Sequence, residues 1–235
     1  MIKKYKQIEH IKAVIWGEES NTIIIAVHGD QSNKEDVPIQ ILAENAAEYG
    51  MQVISFDLPE NGERKDEKIP CTVQNCVKEL NMIMDYVKKQ WKQVCIFANS
   101  MGAYFSMVAF QNERIERAWF LSPLVDMRRM IENMMKWFQV SEKRLKDEKK
   151  IDTPMGKTLY WDYYCYVKEH PINQWDVPTY ILRGTKDTTC EEDTIQTFLH
   201  NAPNATMQLV EGSEHYFHTE YDLEMLKKWF CSSMK

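Results

Sequence analysis

The sequence predicts an α/β fold, a mostly parallel central sheet with helices on both faces, and three observations lead there. Apolar runs at 22–27 and 94–98 are continuous rather than alternating, the mark of strands covered on both faces. Segments with apolar residues at helical spacing lie between such runs. Several of the strands also end in short loops that carry glycine beside a chemically useful side chain, as in His28-Gly29-Asp30 and Ala98-Asn99-Ser100-Met101-Gly102.

Taken in order, residues 5–16 hold Ile8, Ile11, Val14 and Ile15 and read as an antiparallel lead-in of one or two strands. The strand at 22–27 follows, running into His28. A helix is expected over 36–49, with Ile39, Leu42, Ala43 and Ala46 on one face and Gly50 as its stop. Residues 51–56 form the next strand and 57–64 a polar loop. A strongly periodic helix then places Val73, Cys76, Val77, Leu80, Ile83, Met84 and Val87 on one side. After the strand at 94–98 comes a largely apolar helix through Phe110, and 115–121 is another strand, ending at Ser122-Pro123.

Alternation then breaks. Met127, Met130, Ile131, Met134, Met135 and Phe138 make a methionine-rich stripe, followed by a charged patch at 142–150 and an aromatic segment at 159–166. We read 123–176 as a helical cap inserted between an N-terminal core part, 1–122, and a C-terminal one, 177–235. Methionine and aromatic rings suit adaptable apolar surfaces, so Met127, Met130, Met134, Tyr160 and Tyr164 are the expected pocket residues, with plain core packing as the alternative. Regular alternation resumes with a strand at 178–183 and Gly184-Thr185-Lys186-Asp187. A capping-box start at 189–192 opens a helix carrying Ile195, Phe198 and Leu199. A strand at 205–210 then leads to Gly212-Ser213-Glu214-His215, and a final helix spans 222–230.

With 235 residues the chain can bury one sizeable core. A formal charge of −6 and a pI near 5.6 argue against nonspecific nucleic-acid binding, which needs a basic surface. The six cysteines are irregularly spaced, without zinc-ligand patterns, and are expected as thiols; no metal or cofactor is expected. Lys3, Lys4 and Lys6 are not followed by an apolar run, and no stretch nears the roughly 18 apolar residues of a membrane span. A cytoplasmic protein acting on a small molecule is the expectation, with its oligomeric state open.

A serine between small residues on a tight strand-to-helix turn has its hydroxyl pushed out at the carboxyl end of the sheet. A plain strand–turn–helix connection with an incidental serine is the alternative. In such sheets functional groups gather beyond the strands' carboxyl ends, and Ser100, Asp187 and His215 fall there in the order Ser, Asp, His.

Together with Asp57-x-Pro59-x-x-Gly62, these pieces resemble the α/β-hydrolase fold family over nearly the whole chain. The segment 159–187, with His170-Pro171, Trp175 and Val177-Pro178, is similar to single-domain bacterial-type hydrolases of that group. The resemblance implies Ser100 as nucleophile, His215 as general base then acid, and Asp187 as the orienting carboxylate. It implies an oxyanion hole from the backbone N–H groups of Met101 and Asp30, and cleavage of a carboxylic ester or related acyl compound through an acyl-enzyme. Thioester or peptide-type acyl substrates stay open, as does a ligand-binding sensor with little turnover or a merely structural Ser100. His218 is the rival base and Asp126 the rival acid; His28 and Asp57 read as structural. Two departures stand out. Ala98 replaces the usual first glycine of the elbow, and Asp30 puts a carboxylate beside the oxyanion hole, where it is expected to face solvent or pair with a cation. Asn99 has no assigned role.

Overall fold

The computed structural model describes residues 1–235. Its core is an eight-stranded sheet in the order β1-β2-β4-β3-β5-β6-β9-β10. Strands β1 (Lys3–Ile8) and β2 (Ile11–Trp16) form the antiparallel lead-in, and β2 pairs antiparallel with β4 (Gln52–Phe56). From β4 onward every pairing is parallel, through β3 (Thr22–Val27), β5 (Gln93–Asn99), β6 (Ala118–Leu121), β9 (Thr179–Gly184) and β10 (Ala205–Val210).

Side chains alternate across a strand, so a strand covered on both faces must be apolar at every position. Strand β3 obeys this: Ile23, Ile25 and Val27 enter one apolar cluster, Ile24 and Ala26 the other. The smaller cluster lies under α1 (Val37–Glu48) and α8 (Glu220–Ser233) and includes Ile39, Leu42 and Phe230. The larger lies under α2 (Val73–Val87) and α3 (Met101–Phe110). Helix α7 (Glu192–Asn201) adds Ile195 and Phe198 to it.

Between β6 and β9 the chain forms α4 (Met127–Trp137), α5 (Glu142–Glu148), a hairpin of β7 (Lys150–Asp152) and β8 (Thr158–Tyr160), and α6 (Trp161–Glu169). Two of these elements have no sequence-based assignment of their own. The charged patch is itself helical: Ser141 caps it by accepting from the Arg144 N–H, and Lys143–Asp147 and Arg144–Glu148 pair one turn apart. Only Leu145 of α5 is buried, so no apolar stripe announces the helix. The hairpin strands are three residues each, too short for alternation to show. Met127, Ile131, Met135, Leu145, Ile151 and Tyr164 all join the larger sheet cluster. All six cysteines are free thiols, and no helix is long and apolar enough to cross a membrane.

Candidate active site

Ser100 joins β5 to α3 with φ 51° and ψ −121°, a region that an L-residue enters only under constraint. The constraint is visible. Its N–H donates to the Leu121 carbonyl at 3.0 Å, and its own carbonyl accepts from Ala103 at 3.1 Å and Leu124 at 3.0 Å. Gly102 then lets α3 press on the end of β3, since a Cβ there would lie 2.7 Å from the His28 carbonyl oxygen and 2.8 Å from that of Val27. Ala98 is fully buried, its single methyl taken up in the larger apolar cluster on one face of the sheet.

The ends of three other strands converge on this turn. His215 Nε2 lies 2.9 Å from Ser100 Oγ, and His215 Nδ1 lies 2.9 Å from Asp187 Oδ2. Asp187 Oδ1 accepts from the backbone N–H groups of Thr189 at 2.9 Å and Cys190 at 3.1 Å. Burial alone would raise the Asp187 pKa, but the His215 hydrogen bond and charge, with the Cys190 and Thr189 donors, hold it below the usual value. A carboxylate kept ionised there accepts a hydrogen bond from Nδ1–H, which fixes the tautomer and leaves the Nε2 lone pair for the serine hydroxyl.

The loops bearing these groups are themselves held. Arg183 donates to the carbonyls of Asp187 at 3.0 Å and Cys190 at 2.9 Å and pairs with Glu192. Ser213 donates to Asp222 Oδ1 at 2.5 Å, which ties the His215 loop to the start of α8. Gly184 makes the two loops fit together, because a Cβ on it would sit 2.1 Å from the Ser213 carbonyl oxygen.

The loop after β3 forms the other wall. A Cβ on Gly29 would lie 3.2 Å from Ser100 Cβ, so the loop backbone runs against the serine. His28 donates from Nδ1 to the Gly29 carbonyl at 2.6 Å and accepts at Nε2 from the Leu58 N–H at 2.9 Å. Asp57 pins the adjacent loop by accepting from Lys34 N and Lys34 Nζ, both at 2.7 Å, and from Glu63 N at 3.1 Å. The Asp30 N–H makes no hydrogen bond within the chain. The Met101 N–H opens α3, where the first-turn donors lack intrahelical acceptors. The Asp30 carboxylate pairs with a cation, Lys157 Nζ, at 2.5 Å.

The rival groups lie elsewhere. Asp126 caps α4, accepting from the Arg129 N–H at 2.9 Å. His218 stacks on Tyr216, with ring centroids 4.9 Å apart and planes 9° apart, and its Nδ1 lies 2.8 Å from the Tyr216 carbonyl oxygen. Of the expected pocket residues, Met127 and Tyr164 are buried, the latter donating to Glu132 at 3.1 Å, while Met130, Met134 and Tyr160 are half-buried. A cavity of about 370 Å³ beside α4 is lined by Tyr104, Val125, Asp126, Arg129, Lys168 and Phe198 among others, and includes neither these five nor Ser100, Asp187 or His215.

Asp187, Cys190 and His215 offer ligand atoms within 4.8 Å of one another, a donor set seen at zinc sites. The carboxylate and imidazole atoms, however, are 2.9 Å apart, shorter than the roughly 3.3 Å between two ligands on a tetrahedral zinc. This is hydrogen-bond geometry. Sequence reasoning missed Lys157, Arg183 and Asp222. Only Arg183 carried a signal, a charge inside an otherwise apolar strand.

No protein-family model matches the sequence, and no curated protein does either. Solved structures do. Est1E from Butyrivibrio proteoclasticus, in its ferulic acid complex, superposes with a TM-score of 0.77 at 19% identity, covering 98% of this chain and 97% of that one. Mouse alpha/beta hydrolase domain-containing protein 10 gives 0.78 at 15%, covering 100% and 98%. The Pyrococcus furiosus esterase Pf2001 gives 0.65 at 18%, covering 97% and 87%. The chain has the α/β-hydrolase fold.

Proposed function

We propose that the protein is a serine hydrolase that cleaves a carboxylic ester, or a related acyl compound, through an acyl-enzyme. The observation that carries this reading is the unbroken hydrogen-bonded chain from Asp187 through His215 to Ser100, 2.9 Å at each step, on a strained strand-to-helix turn. A serine hydroxyl is a weak nucleophile until an imidazole takes its proton. Here His215 accepts that proton at Nε2 as Ser100 Oγ bonds to the acyl carbon, and Asp187 stabilises the resulting imidazolium. The carbonyl oxygen, now negative, turns to the Met101 and Asp30 N–H groups. Collapse expels the alcohol, which takes the proton from His215. Water, activated by the same imidazole, then releases the acid and restores Ser100. The names of the fold neighbours, two of them esterases or hydrolases by description, agree with ester chemistry.

In this reading 123–176 serves as a cap, whose half-buried Met130, Met134 and Tyr160 meet an apolar acyl or alcohol group of the substrate. Six free thiols agree with a reducing, cytoplasmic setting. The test is turnover of p-nitrophenyl esters of graded chain length, with fluorophosphonate labelling alongside. Ser100→Ala is expected to lower kcat by at least about 10³-fold and to abolish labelling. Turnover unchanged in that variant would overturn the assignment.

A further inference from the structure

A carboxylate next to an oxyanion hole opposes the charge that develops there. Asp30 follows Gly29, whose backbone runs against Ser100, and its own N–H is one of the proposed donors. Yet its side chain does not stand alone. Lys157 Nζ, delivered from 127 residues further along the chain, lies 2.5 Å from Asp30 Oδ1. We propose that Lys157 is a positioning residue of the oxyanion hole: it neutralises the Asp30 carboxylate and draws it towards the hairpin, so that Asp30 presents its N–H, and not its charge, to the reacting carbonyl. The inference rests on the serine-hydrolase reading above.

The hairpin is built to hold that lysine. The Thr153 N–H donates to the Lys157 carbonyl at 2.7 Å and closes the turn. Ile151 and Leu159 are buried on either side and anchor both strands in the larger core cluster. Lys34, which precedes α1, is occupied by Asp57 at 2.7 Å and Glu63 at 3.1 Å and leaves Asp30 to Lys157.

Magnitude decides what the pair is for. Both side chains are 37% exposed, and pairs so open to water contribute little to folding. A charge beside a developing oxyanion acts on the transition state instead, where the local field is less screened. The signature is therefore a loss of turnover without a loss of fold.

The experiment measures p-nitrophenyl acetate hydrolysis and thermal midpoints for Lys157→Ala, Lys157→Gln, Lys157→Arg and the double variant Lys157→Ala/Asp30→Asn. Lys157→Ala and Lys157→Gln are expected to lower kcat on the order of tenfold with KM altered less than about twofold, and to leave the midpoint within a degree or so. Lys157→Arg keeps the charge and should hold kcat within about threefold. Removing the unpaired carboxylate in the double variant should recover most of the loss. Wild-type turnover in Lys157→Ala would overturn the proposal, and so would a loss that Asp30→Asn does not recover, since that pattern belongs to a lysine touching substrate. Turnover that survives Ser100→Ala would instead refute the underlying hydrolase reading.

Discussion

His28 shows how one buried side chain can make folding depend on pH without reacting in the site. Its ring gives Nδ1–H to the Gly29 carbonyl and receives the Leu58 N–H at Nε2, so only the neutral tautomer fits. Protonation would set two N–H groups against each other. Burial lowers its pKa from the ordinary 6.5, against weaker upward pulls from the Gly29 carbonyl and from Asp57, Asp36 and Asp30. The unfolded chain, with an ordinary imidazole, therefore binds more protons as the pH falls below 6.5, and the folded state loses stability in that direction. The thermal midpoint should fall between about pH 7.5 and 5.5, and His28→Gln should flatten that fall while costing about 1–3 kcal/mol at the upper end. An equal slope in the variant would exclude His28 as its source. Residues of this kind are half legible in sequence. Ser100, Asp187 and His215 each follow a segment that reads as a strand, so the strand ends point to them. Lys157 gives no such sign, because its partner lies across the fold and its own turn is polar.

Elements are legible to the extent that burial writes a period into them. Helix α2 begins and ends where its apolar stripe does, at Val73 and Val87, because one whole face packs on the sheet. Helix α5 depends on a cap, charge pairs and one leucine, so its sequence resembles a solvated loop. At α8 a cap does double service. The Thr219 hydroxyl accepts from the Asp222 N–H at 3.2 Å while Asp222 Oδ2 accepts from Thr219 N at 3.1 Å and His218 N at 3.3 Å. The other oxygen of Asp222 receives Ser213, from the loop that bears His215. Burial pushes the Asp222 pKa up, but hydrogen bonds from Ser213 and Thr219, with the His218 N–H, bring it below 3.8. Its contribution is thus present above about pH 4 and lost as the pH drops through the folded value. Asp222→Ala should cost about 1–2 kcal/mol near neutrality, a midpoint shift of roughly 2–8 °C, and should lower kcat by loosening the His215 loop. The stability gap to wild type should narrow as the pH falls below about 4; a gap that does not narrow at all would mean the carboxylate is not its origin.

At the scale of the molecule, the segment between β6 and β9 marks the limit of what sequence rhythm conveys. Its broken alternation suggests a separate unit, and the strand–helix rhythm on either side of it made the parallel sheet legible. What the rhythm cannot convey is where side chains from a non-repeating segment end up. They enter the sheet's own core: the 45-residue cluster that holds Ile25, Phe56 and Phe105 also holds Ile131, Leu145, Ile151 and Val167. A segment that shares its apolar contacts with the sheet helpers α2 and α3 has no core of its own to unfold around, so loss of one of its contacts should be felt by the whole molecule. Leu145 is the sharpest probe, being fully buried and the one side chain by which α5 enters the core. Leu145→Ala removes that contact and leaves a cavity, at a cost of about 2–5 kcal/mol. Hydrogen exchange resolved by peptide should then show the most protected amides of α6 and of β5 losing similar amounts of protection. If only 142–169 exchanged faster while β5 kept its full protection, the insertion would open by itself, and a cap that moves independently of the sheet would replace the shared core as the description of this fold.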